Sequence, residues 1–112
     1  MSTAGERTKD HPRHRLDTII HSPVRLSVMA CLAACDKAEF KYVRDLVEVT
    51  DAHLSKEVAT LYECGYVEVT KGYVGKRPRT WLALSQPGRR ALAEHLEALA
   101  AIAHTPGIAA QI

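Results

Sequence analysis

The sequence has few aromatic residues. They make up 5% of the 112 residues and include one Trp and one Phe. A core must therefore be built from Leu, Val, Ile and Ala, which favours packed helices over a large sheet. Hydrophobic residues still account for 46% of the chain and charged residues for 25%. This composition excludes a wholly disordered chain and predicts one domain, and a domain this small gains stability from a partner subunit.

Long hydrophobic runs and cysteine frameworks are also absent. The longest apolar run extends from Val28 to Cys35, far short of the roughly 20 residues that cross a bilayer as a helix. The three cysteines are an odd number without the spacing of a secreted scaffold, and a bridge between Cys31 and Cys35 would distort the helix that they share. The sequence therefore predicts a cytoplasmic protein without a membrane partner.

Acidic residues are missing from Val69 through Ala93, although the formal net charge of the chain is only +2. Six basic residues fall inside this window: Lys71, Lys76, Arg77, Arg79, Arg89 and Arg90. The positive field is thus concentrated on one segment, which indicates a polyanionic partner.

Capping residues and hydrophobic periodicity divide the chain into elements. Residues 1–14 have hardly any apolar side chain and are predicted to form a mobile arm, residues 15–104 the domain, and residues 105–112 a loose tail. Ser22 before Pro23 predicts a central, heavily buried helix to about Ala34. The pattern then predicts a helix from Phe40 to about Glu48, a third from Asp51 to Cys64 ended by Gly65, two strands at residues 66–71 and 80–84, and a helix from Ser85 to His104.

This order predicts a mainly α protein with a small β-hairpin, a winged helix-turn-helix, whose third helix enters the DNA major groove. With about 100° per residue, Leu54, Val58 and Leu61 form one face and small or polar residues the other. The alanines let the backbone approach base edges, and the polar side chains can bond bases or phosphates. The candidate DNA-binding residues on this helix are Ala52, His53, Ser55, Lys56 and Thr60. An ordinary solvated helix face is the alternative interpretation.

The segment between the two strands is a candidate wing. From Lys71 to Arg79 it contains four cationic side chains and no carboxylate. Lys76, Arg77 and Arg79 are predicted to contact phosphates or the minor groove, whose negative potential attracts Arg. Lys and Pro also protect edge hairpins from aggregation, but next to such a third helix DNA contact is the better interpretation.

Two motifs carry a resemblance to known regulators. Residues 21–26, HSPVRL, resemble the Pro-x-Arg-Leu opening of ArsR-type repressors, and residues 54–67, LSKEVATLYECGYV, are similar to their recognition-helix motif. The segment from Lys71 to Trp81 resembles the wing of small winged-helix regulators near the ArsR and MarR types. The resemblance covers roughly Leu16 to Ile102 and implies a homodimeric transcriptional regulator, commonly a repressor. By the same resemblance Ser55, Lys56 and Thr60 match recognition positions, and Lys76, Arg77 and Arg79 match the wing.

Metal and catalytic sites are not predicted. ArsR-type sensors use a Cys pair near the recognition helices or His and acidic ligands on the last helix, and neither pattern is complete here. Redox sensing by Cys64 lacks a resolving partner. No nucleophile and base set, phosphate loop or metal tetrad can be assembled, so we predict a protein that is not an enzyme and needs no cofactor. The sequence does not indicate whether a small-molecule effector exists.

A dimer is predicted because two recognition helices about 34 Å apart double the base contacts that one helix makes. An apolar stripe on the last helix and a second patch near the arm are the predicted interface. Its residues are Leu16, Ile19, Ile20, Leu92, Leu96, Leu99 and Ile102. The alternative to a DNA-binding regulator is a winged helix that binds another protein without specific DNA binding.

Overall fold

The computed structural model describes residues 10–104, and this part of the chain has the predicted mainly α architecture. A 3₁₀ helix (Pro12–Arg15) precedes four α-helices and three short strands. In chain order these are α1 (Pro23–Ala33), β1 (Ala38–Glu39), α2 (Phe40–Val47), α3 (Asp51–Glu63), β2 (Val67–Val74), β3 (Arg77–Leu84) and α4 (Gln86–Ala103).

Local capping sets the helix ends where the sequence places them. The hydroxyl oxygens of Ser22, Thr50 and Ser85 accept hydrogen bonds from the backbone N–H three residues later. Gly65 follows α3 with φ of +82°, the left-handed conformation that a residue with a Cβ rarely adopts. Helix α2 ends at Val47, and the next residue, Glu48, has φ of +64°.

The core lies between the helices and one face of the sheet. Its fully buried side chains include Val28, Met29 and Leu32 of α1 together with Leu54 and Leu61 of α3. Helix α1 is less enclosed than its composition predicts, because Ala30 and Ala33 are exposed. None of the helices among residues 10–104 is long and apolar enough to cross a membrane.

Two residues of the predicted dimer interface belong to this core instead. Ile20 is completely buried and Leu92 is 4% exposed. Both side chains are part of the same hydrophobic cluster as Leu32 and Leu54. The prediction is therefore wrong for Ile20 and Leu92, because the fold of the domain already covers them.

The sheet differs from the predicted hairpin in two ways. Strand β1, which the sequence does not signal, pairs antiparallel with β3 through Ala38 opposite Leu82 and Glu39 opposite Trp81. Strands β2 and β3 pair continuously from Val67 opposite Leu84 to Val74 opposite Arg77. The predicted loop at residues 72–78 is thus mostly strand, and only Gly75 and Lys76 form the turn.

The segment before α1 is fastened to the last helix and to the base of the hairpin. The backbone N–H of Asp17 donates to Nδ1 of His95 at 3.0 Å, and the Tyr66 hydroxyl donates to Oδ2 of Asp17. The predicted boundary after residue 14 therefore falls inside the 3₁₀ helix. Residues 1–9 of the predicted arm and the predicted tail at residues 105–112 lie outside the described residues.

Candidate nucleic-acid interface

Helix α3 has one buried and one exposed face. Leu54, Val58 and Leu61 pack into the core, as the helical wheel predicts. The candidate residues Ala52, His53, Ser55 and Lys56 are exposed. Thr60 is half-buried, and its hydroxyl donates to the carbonyl oxygen of Lys56 at 3.3 Å. The hydroxyl of Thr60 is thus the least available group of the candidate set.

The turn before α3 is held by charge as well as by capping. Nη1 of Arg44 in α2 lies 2.8 Å from Oδ1 of Asp51, the first residue of α3. The same guanidinium contacts Asp45 through Nε at 2.8 Å. One side chain thus links α2 to the first turn of α3, and its positive charge offsets the carboxylate of Asp51 beside the exposed face.

An open groove of about 700 Å³ lies between α3 and the hairpin. Its walls are partly apolar, from Phe40, Val58, Val69 and Leu82. Its polar residues are Asp51, Ser55, Thr80 and Lys71, and Ala59 and Tyr62 complete the lining. The groove adjoins the exposed face of α3, so the helix and the hairpin form one continuous surface.

The register of the hairpin assigns each basic residue to a face. Directly paired residues point to the same side of a sheet. The pairs Val69–Leu82 and Lys71–Thr80 lie on the side of the hairpin that faces the core and the groove. Arg77 and Arg79 alternate with these positions and lie on the opposite face. The sequence names Lys71 as part of the wing but does not assign it a contact, because only the pairing register reveals which face it occupies.

The three predicted wing residues have different surroundings. Lys76 and Arg77 are exposed and form no ion pair with any residue from 10 to 104. Arg79 is 21% exposed in its side chain, and its Nε lies 2.7 Å from Oε1 of Glu39. Because β1 places Glu39 opposite Trp81, the Glu39 carboxylate can reach Arg79, which lies two residues before Trp81 on the same face of β3. Through this ion pair Arg79 links β3 to β1.

A second ion-pair network supports α3 from behind. Nη1 of Arg25 in α1 lies 2.7 Å from Oε1 of Glu57, and Oε2 of Glu57 lies 3.2 Å from Nε2 of His53. The hydrogen bond from Arg25 is the main reason that the pKa of Glu57 is lowered. Sequence reasoning missed Glu57, although the spacing of four residues between His53 and Glu57 on a helix is the available signal.

The cysteines do not form a reactive centre among the described residues. All three are free thiols, and desolvation raises the pKa of Cys31 and of Cys64, which disfavours the reactive thiolate. Within residues 10–104 no group of three or more His, Cys, Asp or Glu side chains is placed to hold a metal ion.

Comparison with known proteins identifies the family of this chain. The sequence matches the winged helix DNA-binding domain over residues 24–103. The chain belongs to this family. It is 31% identical over 78 residues to the uncharacterised protein MJ0432 of Methanocaldococcus jannaschii, an alignment that covers 70% of this chain and 85% of that protein.

Solved structures agree with the family. A transcriptional regulator homologue from Pyrococcus horikoshii superposes with a TM-score of 0.71 at 27% identity, covering 92% of this chain and 95% of that one. The transcriptional repressor CouR, solved bound to a 23-mer DNA duplex, shares the fold with a TM-score of 0.67 at 19% identity, covering 88% of this chain and 68% of that chain. The predicted winged helix-turn-helix fold is confirmed, and these solved relatives are transcriptional regulators, not enzymes.

Proposed function

We propose that this winged helix protein is a dimeric, sequence-specific regulator of transcription that binds double-stranded DNA and represses by occupying its site. Helix α3 lies in the major groove, and the tip of the hairpin lies on the backbone or in the minor groove. The observation that carries the proposal is the exposed face of α3, which is small and polar, adjoins a basic hairpin and is free of large apolar side chains at Ala52, His53, Ser55 and Lys56.

The chemistry of this face suits base recognition. Ala52 and Ala59 let the helix backbone approach the base edges, while Lys56 donates to the acceptors of guanine or to phosphates. Ser55 and Thr80 place hydroxyl groups in the groove beside Lys71. Hydroxyls and an ammonium group are common partners of phosphate oxygens, so a DNA strand that follows the groove meets donors on both sides.

The wing adds a sequence-independent contribution. Lys76 lies in the turn and Arg77 begins β3, so both cations project from the end of the hairpin. Charges at such a tip neutralise phosphates, release counterions and make affinity fall with salt. Arg79 contributes indirectly in this proposal, since its guanidinium is bonded to Glu39.

Dimerisation uses the part of the predicted interface that remains on the surface. Leu96 is 46% exposed, and Leu99, Ile102, Leu16 and Ile19 are half-buried. A second copy that covers these side chains places two α3 helices on one side of the dimer. We expect the DNA site to be a pseudo-palindrome with half-sites about one helical turn, or a multiple of it, apart.

Selection of bound fragments from a random duplex pool tests the proposal. We expect enrichment of one short pseudo-palindrome. The logarithm of the binding constant is expected to fall linearly with the logarithm of the salt concentration. A pool that shows no enrichment, or retention that salt does not change, contradicts the proposal and favours a protein-binding module. Transcription in vitro from a promoter that overlaps the selected site then distinguishes repression from activation.

Lys56→Ala provides the test of the recognition helix. Loss of the ammonium group is expected to cost about 1–3 kcal/mol on the selected site and to leave binding to random DNA nearly unchanged, because base contacts specify and phosphate contacts position. Thr60→Ala is the matched control on the same helix, since the Thr60 hydroxyl is bonded internally, and its effect is expected to be smaller. An equal loss for Lys56→Ala on both kinds of DNA would mean that Lys56 touches only the backbone.

A further inference from the structure

His53 occupies the part of α3 that comes closest to bases in a helix-turn-helix complex. It is the third residue of a helix that begins at Asp51, and the N-terminal residues of a recognition helix contact base edges. Its side chain is 44% exposed, and its Nε2 lies 3.2 Å from Oε2 of Glu57 one turn further along. One ring nitrogen is therefore engaged within the protein.

The Glu57 carboxylate is held in place by Arg25 and can act only as a hydrogen-bond acceptor. Its side chain is 12% exposed, and its other oxygen accepts a hydrogen bond from Nη1 of Arg25 at 2.7 Å. The Arg25 guanidinium is itself fixed, because its Nε donates to the carbonyl oxygen of Ile19. With its pKa lowered mainly by Arg25, Glu57 is ionised at neutral pH and has no proton to donate.

The protonation of the imidazole follows from this partner. A carboxylate oxygen 3.2 Å from Nε2 favours the neutral tautomer that carries its proton on Nε2, because that oxygen would repel the lone pair of an unprotonated Nε2. The second ring nitrogen, Nδ1, is then a hydrogen-bond acceptor. In the major groove the only donors on base edges are the exocyclic amino groups of adenine and cytosine.

We propose that Glu57 is a positioning residue that sets the base specificity of His53: by holding the proton on Nε2, it leaves Nδ1 to accept from an adenine or cytosine amino group in the DNA site. This inference rests on the proposed function, because it requires α3 to lie in the major groove. It also gives a role to Arg25, the arginine of the Pro-x-Arg-Leu motif, as the residue that fixes Glu57.

Base preference is the measurement that tests this inference. Site selection at pH 8 with the wild-type protein and with His53→Ala identifies the position that loses its preference. At that position the wild-type protein is expected to favour adenine or cytosine by about three- to tenfold, the effect of one neutral hydrogen bond. Lys56→Ala is the control and is expected to keep the preference there.

Glu57→Gln provides a readout that a merely structural residue would not change. The amide oxygen of the substituted side chain can still accept from Arg25 while its N–H donates to Nε2 of His53, which moves the imidazole proton to Nδ1. The preference is then expected to fall at cytosine, whose edge offers no acceptor to an imidazole N–H, and to shift toward guanine or thymine, while adenine can be bound only through its N7 acceptor. The ¹⁵N chemical shifts of the His53 ring report the same change of tautomer in the free protein.

The outcomes separate this inference from the proposed function. If the wild-type protein selects no site, the proposed function fails. If it selects a site but His53→Ala lowers binding to all sequences equally, or changes no position, His53 does not read a base and the inference is wrong. A wild-type ring with its proton on Nδ1 at pH 8, or an unchanged preference in folded Glu57→Gln, also overturns it.

Discussion

Arg77 and Arg79 show how strongly the surroundings of a residue decide what it does. They are the same residue type, two positions apart on one face of β3. Arg77 is exposed, whereas Arg79 is bonded to Glu39 at 2.7 Å with a side chain 21% exposed. An arginine already paired with a carboxylate releases fewer counterions on binding DNA, because its charge is already compensated.

Replacing these two arginines separately is expected to give different results. Arg77→Ala should reduce the slope of log affinity against log salt by about one unit, the effect of one lost phosphate contact. Arg79→Ala should change the slope less, and Glu39→Gln should strengthen binding to random DNA by freeing the Arg79 guanidinium. Salt titrations of duplex binding by the three variants measure these slopes. Equal slopes for Arg77→Ala and Arg79→Ala would mean that the Glu39 pair opens in the complex.

His95 is a buried ionisable residue in a helix that otherwise faces the core with apolar side chains. It is completely buried, its Nδ1 accepts from the N–H of Asp17, and its ring lies 5.5 Å from that of His21. Its Nε2 has no hydrogen-bond partner among the described residues. Desolvation, followed by the neighbouring His21, lowers the pKa of His95, and Asp17 offsets this only in part.

The lowered pKa predicts a loss of stability in mild acid. The unfolded chain binds the proton of His95 at a pH near 6.5, whereas the folded chain binds it only at a lower pH. The stabilisation is therefore complete above about pH 6.5 and declines below it, by at most about 1.4 kcal/mol per pH unit. Urea unfolding between pH 8 and pH 5 measures this decline. His95→Asn, whose Oδ1 can accept from Asp17, is expected to show a shallower decline, and parallel curves would contradict the assignment to His95.

At the scale of elements, the first turn of α4 is packed directly on the residue that opens the hairpin. Gly88 is buried in α4, and a Cβ at this position would overlap the carbonyl oxygen of Tyr66. The same carbonyl oxygen accepts from the N–H of Ser85, and the Ser85 hydroxyl donates to the carbonyl oxygen of Gly65. The absence of a side chain at Gly88 thus sets how closely the wing and the last helix approach.

Gly88→Ala is expected to destabilise the domain by about 1–3 kcal/mol, the usual cost of overpacking, because the overlapping atom is backbone and cannot rotate away. Gly72→Ala is the matched control, since a Cβ at position 72 meets no atom within 4 Å. Its free energy of unfolding should stay within about 0.5 kcal/mol of the wild-type value. Chemical denaturation of both variants provides the comparison, and equal stability of the two would show that α4 can shift away from Tyr66.

At the scale of the whole molecule, the apolar residues of α4 divide into two groups. Leu92 and Ala98 face the core of the domain together with His95, while Leu96 is 46% exposed and Leu99 is half-buried. The apolar stripe that the sequence indicates on α4 is therefore only partly covered by the core of the domain, and the side chains of Leu96 and Leu99 remain partly accessible to solvent. The proposed dimer uses this uncovered part.

Changing Leu96 and Leu99 together to Glu is expected to give a folded monomer that no longer binds the two-half-site DNA, because two charges would be buried in the interface. Leu92→Ala instead is expected to lower the free energy of unfolding by about 2–5 kcal/mol as a core truncation, without a separate effect on assembly. Sedimentation at micromolar concentration together with denaturation distinguishes the two. A wild-type protein that sediments as a monomer would remove the proposed interface.

The sequence alone determined the four α-helices, the two strands of the hairpin and the order in which they follow one another. Serine and threonine caps, Gly65 and the spacing of Leu54, Val58 and Leu61 are local signals, and the helix ends that they predict agree with the structure. The exposed face of α3 follows from the same periodicity, because a regular helix fixes the direction of every side chain. These parts of the candidate site could be predicted from the sequence.

The tertiary structure decided which surfaces remain free. The two residues of β1 are too few to show a period, so nothing local predicts that Glu39 will meet Arg79. Ile20 and Leu92 are as apolar as Leu96, and only the packing of the chain shows that the first two are covered. The face of Lys71 depends on the register of the hairpin, in which a shift of one residue exchanges the two sides of the sheet. Contacts between residues distant in sequence settle all three questions, because they depend on how the finished elements pack and not on the pattern within any one of them.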